Sequence, residues 1–138
     1  MIQISDKAGL YRATVSVGDV FIKNFDKIDH PKYFIVAGIS GDRINLCAVY
    51  INSNIPDFIY SNKKLLKLQV NIKGRKYDFL RHDSFVSCNT QIKASIDKLI
   101  SDCKYLGKID EEDLGNIRQT IINSNLLTKN ELKLYFQQ

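Results

Sequence analysis

Gly18-Asp19-Val20-Phe21-Ile22-Lys23, a polar loop ending in His30-Pro31-Lys32, then Tyr33-Phe34-Ile35-Val36-Ala37-Gly38-Ile39: this stretch decides the fold. Its first piece is β-branched and aromatic, which suits a pleated strand. Gly18 interrupts a longer β-type run over 13–23 and predicts a turn or bulge just before the strand proper. The second run is apolar almost throughout, so it reads as a strand covered on both faces. Pro31 sets the direction of the chain between the two. His30 puts an imidazole, which gives and takes protons near neutral pH, at a strand mouth.

Outward from there, Ser40-Gly41-Asp42 predicts a hairpin turn, and 43–51 its partner strand. Residues 65–72 alternate, with Leu66, Leu68, Val70 and Ile72 on one face and Lys67, Gln69 and Asn71 on the other. Lys73-Gly74-Arg75-Lys76 reads as a turn and 84–87 as a short strand. The last third changes period. Residues 93–103 are amphipathic over a short span, and 105–109 read as a short strand or connector. Asp110 predicts the cap of a helix running to about Ser124, with Leu114, Ile117, Ile121 and Ile122 at helical spacing. Thr128-Lys129-Asn130-Glu131 is a capping box that opens a second helix.

The expected architecture is mainly β with C-terminal helices. It forms one domain over 1–138, with a small half-open barrel over about 13–109 and helices over about 110–136. A meander sheet with helices on one side is the competing arrangement.

At 138 residues the chain is long enough for one ordinary core. It contains no apolar run long enough to span a bilayer and no signal-peptide pattern at its start, so the expected location is cytoplasmic. Three separated cysteines, Cys47, Cys88 and Cys103, form neither a disulfide framework nor a zinc ribbon. The net charge of +5 is a mild bias toward polyanions. Its distribution says more: Lys63, Lys64, Lys67, Lys73, Arg75, Lys76 and Arg81 stand against Asp78 alone, whereas Asp110-Glu111-Glu112-Asp113 is a compact acidic block.

No metal-ligand spacing, phosphate-cradling glycine loop or nucleophile elbow is visible, so no cofactor is expected. His30 reads either as an acid, base or phosphate contact, or as a solvated loop histidine. The same two readings apply to His82, between Arg81 and Asp83. The basic stretch 63–81, interleaved with Tyr60, Tyr77 and Phe79, fits a nucleic-acid backbone with rings for stacking; it also fits a half-exposed strand.

The order of these features resembles the MazF/PemK (Kid-like) toxin family over roughly residues 17–122. The matching pieces are Gly18-Asp19-Val20, His30-Pro31, the two apolar strands, Asp83-Ser84-Phe85-Val86, Thr90-Gln91-Ile92-Lys93, Ile96-Asp97, and Gly107-Lys108-Ile109 before the acidic helix start. The resemblance implies an SH3-like half-open barrel, a homodimer, and a metal-independent endoribonuclease acting on single-stranded RNA and held inactive by an antitoxin protein. The implied chemistry is attack of a ribose 2′-hydroxyl on the adjacent phosphorus. His30 stands where the family has Arg, and Asn52-Ser53 where it has Thr. On this reading His30 transfers a proton, Lys32 supplies positive charge, and Asn52 and Ser53 orient the phosphate. Lys23, Arg81, His82, Gln91 and Lys93 are the expected RNA contacts. The alternative from a different class is a catalytically inactive SH3-like module that binds protein or nucleic acid.

Overall fold

The computed structural model describes residues 14–24 and 30–136. Residue 13 and loop residues 25–29, parts of the segments read above, lie outside the described residues. Six strands are present among the described residues: β1 (Asp19–Lys23), β2 (Lys32–Ile39), β3 (Asn45–Asn52), β4 (Gln69–Ile72), β5 (Ser84–Ser95) and β6 (Lys104–Lys108). They form one sheet in the order β4-β5-β3-β2-β1-β6, and each neighbouring pair is antiparallel. The edge strands β4 and β6 do not pair with each other, so the sheet is not a closed barrel. Short helices lie between β3 and β4, α1 (Asp57–Tyr60) and α2 (Lys63–Leu66); α3 (Ile96–Ile100) follows β5, and α4 (Glu111–Asn123) and α5 (Lys129–Phe136) end the described chain.

The opening stretch folds as its pattern requires. Phe34 to Ile39 is buried at every position, because both faces of β2 carry a core. On one face Val20, Ile35, Val49, Ile51 and Val86 pack against Ile117 and Ile121 of α4. On the other, Phe21, Phe34, Val36, Leu46 and Ala48 pack against Ile96, Leu99 and Ile100 of α3. Helices therefore cover both faces, not one. β1 begins only at Asp19, later than the composition of 13–23 suggests. Gly18, at φ 97°, turns the chain there and donates its N–H to the Val36 carbonyl at 2.7 Å.

Two other segments depart from their sequence reading, each for a local reason. β4 is shorter than 65–72, because the Asn62 side chain accepts N–H bonds from Lys64 and Leu65 and starts a helical turn that takes Leu65 and Leu66. β5 runs through 12 residues instead of stopping at residue 87. Its register against β3 jumps from Tyr50↔Ser87 to Val49↔Gln91, so residues 88–90 bulge and the strand bends without ending. The two late helices start as expected. Asp110 accepts the Asp113 N–H at 2.8 Å, and Thr128 and Glu131 bond each other's backbone N–H at 3.1 and 2.9 Å.

Burial pushes the Cys47 and Cys88 thiols up to about 12 and that of Cys103 to about 11. The thiolate is the nucleophilic form, so these side chains serve as core residues at neutral pH. Among the described residues no helix is long and apolar enough to cross a membrane.

Candidate functional site

Antiparallel pairing places the start of β2 beside the end of β3: Tyr33 faces Ile51, which sets Lys32 next to Asn52. The end of β3 also lies beside the start of β5, where Asn52 faces Phe85. The three strand ends open onto a cleft of about 420 Å³. Its polar lining includes His30, Lys32, Asn52, Ser53, Arg81 and His82, and Tyr33, Ile51, Phe79 and Leu80 supply apolar wall. Among the described residues no Asp or Glu lines it. Cations set among low-dielectric side chains concentrate anions.

Lys32 is the best-defined group there. Its ammonium donates to Asn52 Oδ1 and lies 5.5 Å from the centre of the Tyr50 ring. Asn52 Nδ2 donates to Ser87 Oγ at 2.6 Å, and Ser87 Oγ donates to Gln69 Oε1 at 2.9 Å. Gln69 Nε2 in turn donates to Asn89 Oδ1 at 2.8 Å. This chain fixes the orientation of the Asn52 amide, hence the place of the ammonium. Burial holds the Lys32 pKa below the ordinary lysine value. No carboxylate offsets that cost, which leaves a partly desolvated positive charge facing an open cleft.

Arg81 and His82 arrive on the segment 73–83, which is fastened at two points. At the first, a Cβ on Gly74 would meet the His82 backbone at 2.5 Å, so only glycine lets the two strands of the loop touch. Asp83 Oδ1 accepts the Gly74 N–H at 3.0 Å, and that bond, aided by Lys73, draws the Asp83 carboxyl below the usual range. At the second, Tyr77 donates its hydroxyl to Asp113 and accepts the Asp110 N–H at 3.1 Å. Lys76 pairs with Asp110 and Asp113 at 2.5 and 3.0 Å. The Tyr77 ring stacks on Phe79 with centres 5.3 Å apart, so the clamp also carries an apolar wall of the cleft.

His82 Nδ1 lies 2.9 Å from the Asp83 carbonyl oxygen, and His30 Nδ1 lies 3.3 Å from that of Pro31. Both imidazoles line the cleft.

Six of the nine residues expected from the sequence therefore share one cleft, and Lys23, Gln91 and Lys93 are placed elsewhere. Lys23 donates to the Lys98 and Leu99 carbonyls at 3.2 and 2.9 Å. Gln91 Nε2 donates to the Cys88 carbonyl at 2.6 Å, inside the β5 bulge. Lys93 pairs with Glu131 of α5 at 2.6 Å. Of the three rings read as stacking candidates, Phe79 lines the cleft, Tyr60 is exposed on α1, and Tyr77 is buried with its hydroxyl committed to the clamp.

Sequence reasoning missed Gln69 and Ser87 as supports of Lys32. Their spacing carries no signal, because the link depends on the register of β5 against both β3 and β4. Among the described residues no group of three or more His, Cys, Asp or Glu side chains is placed to hold a metal ion. No protein-family model matches this chain, and no curated protein matches its sequence.

Proposed function

We propose that this chain is a metal-independent endoribonuclease that acts on single-stranded RNA, and that the cleft at the ends of β2, β3 and β5 is its site. One observation carries the reading: His30, Lys32, Asn52, Ser53, Arg81 and His82 line a single cleft, with no carboxylate among its described lining residues. Cleavage by a ribose 2′-hydroxyl needs a proton carrier, positive charge on the phosphate and donors that orient it. His30 is the proton carrier, Lys32 stabilises the phosphate charge, and Asn52 and Ser53 orient it. Arg81 and His82 contact the flanking backbone. The Phe79 wall offers an apolar surface to a base, as stacking platforms for single strands do.

The finer fold follows from the same reading. The six-stranded antiparallel sheet, bent at the β5 bulge and covered by C-terminal helices, is read as a half-open SH3-like barrel of the MazF/PemK (Kid-like) kind. With it come a homodimer and an antitoxin protein as partners, and a cytoplasmic place of action. The Gly18-Asp19 start of β1 and the order of the later strands and helices support it.

The test is expression of the chain with growth and RNA integrity as readouts, alongside incubation of the pure protein with single-stranded RNA in excess chelator. Growth arrest with RNA cleavage, both lost in His30→Ala, is the expected result. An intact RNA pool with the pure protein bound to RNA would select the inactive binding module instead. Neither binding nor cleavage would end both readings.

A further inference from the structure

We propose that His82 is a second catalytic residue, the base that takes the 2′-hydroxyl proton, working with His30 in the cleft they both line. The proposal rests on the endoribonuclease reading above and adds to it the second proton carrier that the reaction needs.

The argument starts from ring tautomers. A carbonyl oxygen only accepts hydrogen bonds, so the imidazole nitrogen facing it carries the hydrogen. Nδ1 of His82 faces the Asp83 carbonyl at 2.9 Å, an ordinary hydrogen-bond length, and in the neutral ring this leaves the lone pair on Nε2. That is the form a base requires. The His82 backbone is held against Gly74 and tied through Asp83, so the point from which the ring hangs is fixed from both sides. His30 makes the same kind of contact at greater length, 3.3 Å from Nδ1 to the Pro31 carbonyl.

Among the described residues, the cleft that His82 lines also holds Lys32, Arg81 and His30 and no carboxylate. The Asp83 carboxylate beside it is turned to the Gly74 N–H and to Lys73, 3.4 Å away, not to the imidazole. The other polar lining residues cannot replace it. Asn52 and Ser53 are not proton carriers at neutral pH, and the Lys32 ammonium is engaged as a donor to Asn52.

The step balances with these two rings alone. His82 Nε2 takes the proton from the 2′-hydroxyl, the O2′–P bond forms, and the P–O5′ bond breaks. The leaving 5′-oxygen takes a proton from Nε2–H of His30, which enters the step as the imidazolium with its Nδ1–H on the Pro31 carbonyl and leaves it neutral. The products are a 2′,3′-cyclic phosphate and a 5′-hydroxyl, and Lys32 holds the charge on the phosphorus oxygens meanwhile.

The test is single-turnover cleavage across pH by the parent, His82→Ala, His82→Asn and His30→Ala, in chelator. Two substrates are compared: an ordinary oligoribonucleotide, and one whose scissile 5′-oxygen is replaced by sulfur, a leaving group that needs no acid. Both His82 variants should lose about 100-fold or more on both substrates, and the acid limb of the pH profile should flatten. His30→Ala should lose a similar factor on the ordinary substrate, recover on the sulfur one, and lose the alkaline limb. Thermal unfolding of each variant, and agreement between the Ala and Asn replacements, separates chemistry from misfolding. His82 variants that cleave as fast as the parent, or that recover with sulfur, would overturn the assignment and leave the nuclease reading standing. A parent protein that cleaves neither substrate would overturn both.

Discussion

Lys76 and Lys32 stand in two polar clusters whose surroundings are opposite. Lys76 meets two carboxylates, Asp110 and Asp113, which raise its pKa above the ordinary lysine value. Lys32 meets one amide, and burial lowers its pKa. A charge matched by carboxylates holds structure together. A charge left with a neutral partner, in a cleft whose described lining holds no acid, is a cost to the fold that an incoming anion relieves. The contrast separates a clamp from a site, and it does so without any appeal to family likeness.

The largest effect should come from the unmatched lysine. Lys32→Ala is expected to slow RNA cleavage by about 10²–10³-fold, the usual loss when a positioned charge-stabilising donor is removed. Its melting temperature should hold or rise, because the folded protein no longer carries a desolvated ammonium. A parallel loss of stability and activity would erase the distinction between the clusters. On the clamp side, Tyr77→Phe removes one hydroxyl from buried Asp113. Urea unfolding should show a loss of about 1–3 kcal/mol, the cost of leaving a buried acceptor short of its partner. Cleavage by the folded fraction should fall less than in Lys32→Ala.

Strong acid should loosen the clamp. Backbone and lysine partners hold the Asp83 and Asp110 carboxyls below their ordinary range in the folded chain. Their contribution is therefore complete above the ordinary carboxylate value and fades as pH falls through the lower folded values. In melting curves across pH, Asp110→Asn should differ from the parent at neutral pH and converge with it in acid. A constant gap would mean that the Asp110 charge is not what the clamp uses. The smallest effect is reserved for Lys93→Ala. Its side chain pairs with Glu131 on the surface, away from the cleft, so cleavage should match the parent. A clear loss would extend the RNA path toward α5.

Much of this arrangement is legible in the residues. The all-apolar run of β2, the Asp110 cap and the Thr128–Glu131 box each specify their local structure, because the signal lies within a few neighbouring positions. The meeting of the His30 loop with the polar end of β3 is legible to within one residue: the Ser40–Asp42 turn sets the hairpin, and a bulge between Val36 and Gly38 then shifts the register by one. What escaped was long-range. The Gln69–Ser87–Asn52 chain needs the register of three strands, and the sequence over 84–95 shows no break that would announce a bulge instead of a strand end. Lys93 and Gln91 look like groove residues in the sequence and are spent on Glu131 and the Cys88 carbonyl, contacts that only the packing of α5 and the bend of β5 create.

The chain carries two histidines, and both line the cleft. Their imidazole ring protons are therefore two natural reporters of the proposed site. Titration with a single-stranded RNA that has 2′-O-methyl groups, and so cannot be cleaved, should shift both histidine signals together in the proton NMR spectrum, with the same saturation point. Binding of that RNA with both signals unmoved would place the anion elsewhere on the molecule and contradict the account.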